Sequence, residues 1–328
     1  MEMHEDVWQR GVERFFAYAR ERHSIYLRRQ RGVPRSDWTS DPILQKYRFT
    51  NVFREIDATT VWFRENVRKH LSSSPDVLLA TVLFRWFNRI RTGEAIFSQT
   101  RLDTETPGAT AWDELVGSSS TEVVRSSVLQ YCGGGPYVTG AYIIKTPDGL
   151  DKLSGVLRCV EWFMTQSQKV GEGRFGDALL DQGEMSRMLS REPGRHSLEF
   201  VWDWLRRFPY MGDFMAYEVV TDLRHTDLLY DAPDIMTWAN PGPGATRGAG
   251  RVVSGYHEVF RKSSRDRQEV MSVMSKLLSL SRKPEYWPQE DRESWSVWEM
   301  RDVEHTLCEF DKYERVRLGQ GRPRGVYR

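Results

Sequence analysis

Between Ser197 and Gly248 the chain carries three features that together suit work on a phosphorylated group. The first is SLEFVWDWLRRFPYMGDFMAYEVVTDL, residues 197 to 223. Ser197 starts a helix that ends near Phe208, Pro209 to Gly212 make a tight turn, and Asp213 caps a second helix. Backbone N–H groups of Met211, Gly212 and Asp213 then face outward at a helix N-terminus, where they can hold a nucleic-acid phosphate without reading sequence. The second feature is a pair of carboxylates, Asp231 and Asp234, which follow Gly212 by 19 and 22 residues. The third is Trp238 to Gly248, where Gly242, Gly244 and Gly248 surround Arg247 in what reads as a glycine-rich loop over residues 240 to 250. Glycines let backbone approach an anion, successive N–H groups can form a nest around it, and the arginine adds charge, so a phosphate or pyrophosphate suits this loop.

Two further blocks place charge beside apolar faces. In RFTNVFREID, residues 48 to 57, Asn51, Arg54, Glu55 and Asp57 alternate with aromatic and aliphatic residues, which suits an ion network or a contact surface for base and phosphate. In the last helix Met300, Val303, Leu307 and Phe310 form a core stripe, while Glu304, Cys308, Asp311 and Arg315 run along the adjacent face. Glu304 at that boundary is a half-buried carboxylate that can serve as a base. Asp222 and Arg224, at the end of the second hairpin helix, complete the candidate set.

The elements that must position these residues are mostly helices. Trp8, Val12, Phe15, Phe16 and Ala19 share one face, as do Leu150, Leu153, Val156, Leu157, Val160 and Met164. Val77 to Ile90 is apolar nearly all round behind Ser74-Pro75 and predicts a buried central helix. Further helices are expected near 56–70, 120–131, 197–207, 213–223, 256–280 and 297–316, and one strand or hairpin over Tyr137 to Lys145. Joints rich in glycine, proline and serine fall near 104–120, 132–136, 191–196 and 240–250. The expected fold is mainly α, a single all-helical unit over residues 1–328 with two lobes.

Composition narrows the field. The 328 residues are 39% hydrophobic and 28% charged, with a net charge of +1, which excludes wholesale disorder and coiled-coil readings. That neutrality conceals 38 arginines against 9 lysines, and arginine is the side chain whose planar fork binds phosphate. Cys132, Cys159 and Cys308 are too few and too far apart for a disulfide framework or a zinc knuckle, which implies a reducing, cytoplasmic setting. No apolar run approaches the roughly 20 residues that cross a bilayer, and no histidine spacing points to a metal. A P-loop, G-x-x-x-x-G-K-[ST], does not occur, and Gly171 to Gly176 matches a dinucleotide fingerprint as text while lacking its strand–turn–helix context.

Leu205, Pro209, Gly212 and Ala216 follow the spacing of the helix-hairpin-helix in DNA glycosylases, with Tyr210 standing where those enzymes have a glycine and Met211 where they have a small apolar residue. Taken together, RFTNVFREID, FPYMGDFMAYEVVTDLR, DAPDIMTWANPGPGATRG and RDVEHTLCEFDKYER resemble the α-glutamyl/putrescinyl-thymine pyrophosphorylase group and the helical domain of 5-hydroxymethyluracil DNA kinases, over about residues 40 to 320. The resemblance implies a helix-hairpin-helix glycosylase-like fold and a place in thymine hypermodification, mostly in bacteriophages. Without a P-loop, it implies the step in which the pyrophosphate of pyrophosphorylated 5-hydroxymethyluracil in DNA is replaced by an amino acid or amine.

On that reading Arg247 with Gly242, Gly244 and Gly248 hold the leaving pyrophosphate. Asp231 or Asp234 is the base, with Glu304 as a further carboxylate. Arg54 and Glu55, backed by Asn51 and Asp57 and joined by Asp222 and Arg224, bind a flipped base or the amino acid. The partners implied are modified DNA, a free amino acid or amine and an upstream base kinase, with no cofactor, metal or membrane. Two alternatives remain at this point. One is a glycosylase excising a modified pyrimidine; the absence of lysine between Val170 and Arg261 argues against its bifunctional, Schiff-base form. The other is a non-catalytic DNA-binding partner of a base kinase.

Overall fold

The computed structural model describes residues 5–98, 108–169, 179–257, 259–260, 264–288, 297–323 and 325–327. The protein is mainly α, with helices numbered α1 to α15 along the chain. The described residues divide into two compact units, one formed by Met1–Asp57 with Met236–Arg328 and the other by Ala58–Ile235. The Gly171–Gly176 motif and Arg324 lie outside the described residues.

The first unit begins with α1 (Glu5–Gln30) and the short α2 (Pro42–Lys46), which Asp41 caps by accepting from the N–H groups of Ile43 and Leu44. The expected stripe of α1 is buried at Val12, Phe15, Phe16 and Ala19. A 3₁₀ turn at Arg54–Ile56 ends this half.

The second unit follows. Ala58–Phe63 (α3), a π-type turn at Arg64–Arg68 and Lys69–Leu71 (α4) run on as one helical stretch. Val77–Phe87 (α5) is buried at every position, as its all-round apolar sequence requires. It starts behind Asp76, two residues later than a Ser74 cap with Pro75 in the first turn implied, and ends where Asn88 turns left-handed at φ 44°. Then come α6 (Ile90–Phe97), α7 (Ala111–Ser118), α8 (Glu122–Cys132) and α9 (Lys152–Thr165), which buries Leu153, Val156, Leu157 and Val160. The joint expected at 104–120 therefore contains a helix, opened by a Thr110/Asp113 capping box. Tyr137–Lys145 is not a strand. It is irregular chain held to α5 by the Thr139 N–H donating to the Phe87 carbonyl (2.8 Å) and the Tyr142 hydroxyl donating to that of Arg85 (3.0 Å). Strand structure among the described residues is confined to a two-residue antiparallel pair, β1 (Gln168–Lys169) with β2 (Leu179–Leu180).

After α10 (Gln182–Arg191), the hairpin is formed by α11 (Leu198–Leu205) and α12 (Gly212–Leu223). The turn between them places both Tyr210 (φ 62°) and Gly212 (φ 57°) in the left-handed region. Asp213 does not cap α12: Met211 occupies the cap position, and Asp213 lies within the first turn, exposed.

The chain returns to the first unit with α13 (Pro243–Ser254), α14 (Ser264–Leu280) and α15 (Met300–Arg317). The segment expected to be a glycine-rich loop is thus helix α13, with Pro243 at its first position and Gly255 ending it. Its glycines answer to packing. A Cβ on Gly248 would fall 2.2 Å from the Leu307 carbonyl oxygen of α15, and one on Gly244 would fall 2.4 Å from the Cys308 sulfur. On the other side, a Cβ on Gly11 of α1 would meet the Val252 carbonyl oxygen at 1.9 Å. Backbones approach this closely only where side chains are missing.

Candidate functional site

In the first unit, the segment 48–57 is anchored by Phe49, Val52, Phe53 and Ile56, all buried, and its polar residues lie against α15. Asn51 is the keystone of the loop. Its Oδ1 accepts from Arg22 Nη2 (2.7 Å), its Nδ2 donates to the Ile56 carbonyl (2.9 Å), and its backbone N–H donates to Asp57 Oδ1 (3.0 Å). Asn51 and Asp57 therefore shape the loop. Burial raises the Asp57 carboxyl above the usual carboxylate range, against the pull of the Arg54 charge nearby.

Glu55 is buried and meets Arg301 of α15 at 3.6 Å, and Arg301 lies 3.7 Å from Asp302. Burial pushes Asp302 up to about 7, helped by the negative Glu299 and Glu55 and opposed by Arg301. One turn along, Thr50 donates its N–H to Glu309 Oε2 (3.2 Å) and shares a 2.7 Å hydrogen bond with His305 Nε2. His305 is held well below the ordinary imidazole value, because its ring is withdrawn from water and Arg54, Lys312 and Arg301 stand near it. A neutral imidazole results at neutral pH, and it can accept as well as donate a hydrogen bond.

Beside His305, Glu304 reaches the start of α13, where its Oε1 accepts from the Gly242 N–H at 3.2 Å. No side chain caps α13, and Pro243 has no N–H, so the Gly244 and Ala245 N–H groups of the first turn lack helical partners. The positive end of the helix macrodipole adds to them. Cys308, against Gly244, has its thiol pushed up to about 12, by burial first and by Glu309 and Glu304 next, so it stays protonated and is a poor nucleophile. The structure thus brings Asn51, Arg54, Glu55 and Asp57 together with α15, and Glu304 together with Gly242. An acceptor carboxylate, a helix start suited to anions, the Arg54 cation and a neutral histidine share this part of the unit. Such a mixture suits a ligand carrying both charges.

Arg247 is elsewhere on α13. Its Nε donates to Asp311 Oδ2 (2.9 Å), so it does not close an anion nest with Gly242, Gly244 and Gly248. The nest reading is narrowed to the first turn of α13, because Arg247 is engaged by Asp311 and Gly248 lies further along the helix, packed against the Leu307 backbone.

In the second unit, Asp222 is buried against Arg85 (Nη2 to Oδ1, 2.7 Å) and lies 3.4 Å from Arg68. That ion cluster holds α12 to α5 and the turn after α3. Arg224 Nη1 donates to the Tyr230 carbonyl (2.9 Å). Ser197 is the cap of α11, accepting from the Phe200 N–H (3.0 Å), and Asp234 supports the same helix start, its oxygens accepting from the N–H groups of Leu198 (2.7 Å) and Glu199 (3.0 Å). Both oxygens are engaged in holding a helix, which removes the basis for reading it as a base. Asp231 is exposed, packs its Cβ 3.3 Å from the position a Gly194 Cβ would take, and accepts from the Tyr230 hydroxyl. Met211 is buried and its N–H donates within the turn to the Phe208 carbonyl (3.2 Å), leaving Gly212 and Asp213 as the first-turn residues of α12.

Sequence reasoning missed His305, Arg301 and Thr50. The available signal was the adjacency of Glu304 and His305 on one helix, whose meaning depends on Thr50, 255 residues earlier. Among the described residues no group of histidine, cysteine and carboxylate side chains could hold a metal ion, and no helix is long and apolar enough to cross a membrane.

These blocks are the ones a family model also recognises. The model for the helical domain of 5-hmdU DNA kinase matches residues 9–322, nearly the whole chain. The chain belongs to this family. A curated relative, the 5-hmdU DNA kinase of Bacillus phage SP10, is 26% identical over 254 residues, covering 71% of this chain and 35% of the relative. The chain thus spans about a third of the length of that relative. No solved structure matches it.

Proposed function

We propose that the protein modifies 5-hydroxymethyluracil in DNA, replacing the pyrophosphate of the activated hydroxymethyl group with an amino acid or amine. Family membership supports the base, and the grouping of Glu304, Arg54, His305 and the first turn of α13 supports the chemistry. The C–N bond forms at the methylene carbon attached to C5 as the C–O bond to pyrophosphate breaks. The ring assists by electron donation, and the incoming ammonium gives up a proton. Glu304 is the carboxylate placed to accept that proton, a role worth about 10²- to 10⁴-fold in rate. The Gly244 and Ala245 N–H groups with Arg54 receive the anionic group, whether pyrophosphate or amino-acid carboxylate, and one such preorganised donor contributes roughly 3 kcal/mol. Neutral His305 fixes Thr50 beside Arg54. The base must leave the stack to reach a site of this kind.

The test supplies DNA bearing pyrophosphorylated 5-hydroxymethyldeoxyuridine with an amino acid or a polyamine. The expected result is a mass-shifted nucleoside and free pyrophosphate, lost in Glu304→Gln and weakened in Arg54→Gln, with Asp231→Asn included because that carboxylate is exposed. No product from a folded enzyme with any amine overturns the reading, and abasic sites formed without amine point to a glycosylase. A second reading is favoured by coverage: a chain matching a third of a kinase, over a helical domain, suits a module that holds DNA for a base kinase. In that case DNA binds, no product forms alone, and Glu304→Gln changes nothing.

A further inference from the structure

The buried ion network of the first unit holds more positive charge than its own carboxylates neutralise. Asp311, with no exposure, meets Arg251 (2.8 Å), Arg247 (2.9 Å) and Arg315 (3.5 Å). Glu314, equally buried, meets Arg317 (2.7 Å) and Arg14 (3.7 Å). Arg14 also donates from Nη2 to the Arg251 carbonyl, and Arg251 Nη2 donates to Gln320 Oε1 (2.9 Å), so the two groups form one cluster. Among the described residues, five guanidiniums therefore share two carboxylates. Arg251 is fully buried with its Nη1 unpartnered, and the Nε atoms of Arg14 and Arg315 likewise make no hydrogen bond. The remaining guanidiniums reach the surface: the Arg14, Arg247, Arg315 and Arg317 side chains are 35%, 37%, 33% and 42% exposed. Arg322 is exposed two residues beyond Gln320.

A purely structural network would be expected to approach neutrality, since an uncompensated buried charge opposes folding. An excess at a surface made only of arginine forks is complementary to a row of phosphates. We propose that this cluster is a DNA-backbone contact separate from the Glu304 site, with Arg315, Arg317 and Arg322 meeting phosphates and buried Arg251 strengthening the field beneath them. It takes DNA as the partner from the reading above, and it concerns binding alone.

The measurement is the salt dependence of affinity for a fluorescein-labelled DNA duplex, by anisotropy over a range of sodium chloride concentrations. Each phosphate contact contributes about 0.9 to the slope of log K against log salt. The double variant Arg315→Gln/Arg317→Gln is expected to flatten the slope by nearly two, and Arg322→Gln, on an exposed side chain, by about 0.9. The pair Arg315→Lys/Arg317→Lys keeps the charge and retains most of the slope. Arg265→Gln/Lys276→Gln on α14 removes the same charge outside the cluster and leaves the slope as it was. An unchanged slope in the glutamine variants overturns the proposal, as does equal flattening by the α14 pair. Should the double variant fail to fold, Arg322→Gln decides alone. Flattening without any modification product leaves this contact standing and removes the chemical reading; product formation with an unchanged slope does the reverse.

Discussion

Buried beside the Arg301 guanidinium, with the Glu299 charge near it, the carboxyl of Asp302 gives the fold a pH response of its own. Its folded value is raised to about 7, chiefly by burial, whereas in the unfolded chain an aspartate titrates near about 4. Between those values the folded protein holds a proton that the unfolded chain has lost, so stability falls as pH rises across the window. The contribution is complete below about 4 and gone above about 7. Asp302→Asn mimics the protonated form and keeps an acceptor for the Glu299 N–H, which Asp302 bonds at 2.9 Å. The variant's melting temperature should therefore gain on the wild type's as pH is raised from about 4 to 7 and run parallel above; a constant gap would place the proton elsewhere. At this scale the sequence marked Asn51, Arg54, Glu55, Asp57 and Glu304 by type and spacing, and the structure brings the four loop residues against the helix that carries Glu304. It could not mark His305, because an unremarkable helical histidine acquires its depressed titration only in the fold, from burial first and then from the Arg54, Lys312 and Arg301 charges near it.

Among the elements, α11 and α13 bear the most direct tests. Asp234→Ala removes two N-terminal hydrogen bonds of α11 and should cost about 1 to 2 kcal/mol, seen as a lower denaturation midpoint. Asp234→Asn keeps a side-chain acceptor and should recover most of that loss with DNA modification intact; loss of turnover at unchanged stability would restore the catalytic reading of this residue. For α13, alanine in place of glycine normally stabilises a helix by about 1 kcal/mol. Gly248→Ala should do the opposite, by about 1 to 3 kcal/mol, because the added Cβ meets the Leu307 backbone and no rotamer change relieves it. The same contact explains why α13 was illegible. PGPGATRGAG has the composition of a loop, and only a neighbouring helix reveals that its glycines are interfacial. Helices such as α5 and α9 were readable because their burial is written as a stripe, or as a run, of large apolar residues. Tyr137–Lys145 looked like a strand by alternation but has no partner strand among the described residues.

For the molecule as a whole, the organising fact is that the first unit is assembled from the two ends of the chain around an intervening second unit. Helix α1 packs on α13 and α15, which arrive only after residue 236. A chain stopped at Ile235 should retain slow amide exchange in α5, whose neighbours α9 and α12 are all present, while α1 exchanges rapidly; protection of α1 in that fragment would refute the division. The arginine excess also takes on meaning at this scale. A net charge of +1 gave no hint of a nucleic-acid partner, yet among the described residues of the first unit five guanidiniums gather on two carboxylates.

The split of the first unit also sets a clock on synthesis. Helix α1, with Val12, Phe15 and Phe16 on its apolar face, leaves the ribosome ahead of its partner α15, which follows 270 residues behind. At about 5 to 20 residues per second, that interval is on the order of tens of seconds. Throughout it α1 lacks the cover that α15 gives it, while the second unit has time to fold. The newborn protein is thus a natural client for chaperones that recognise apolar segments at the exit tunnel, and its yield in a foreign host should depend on them.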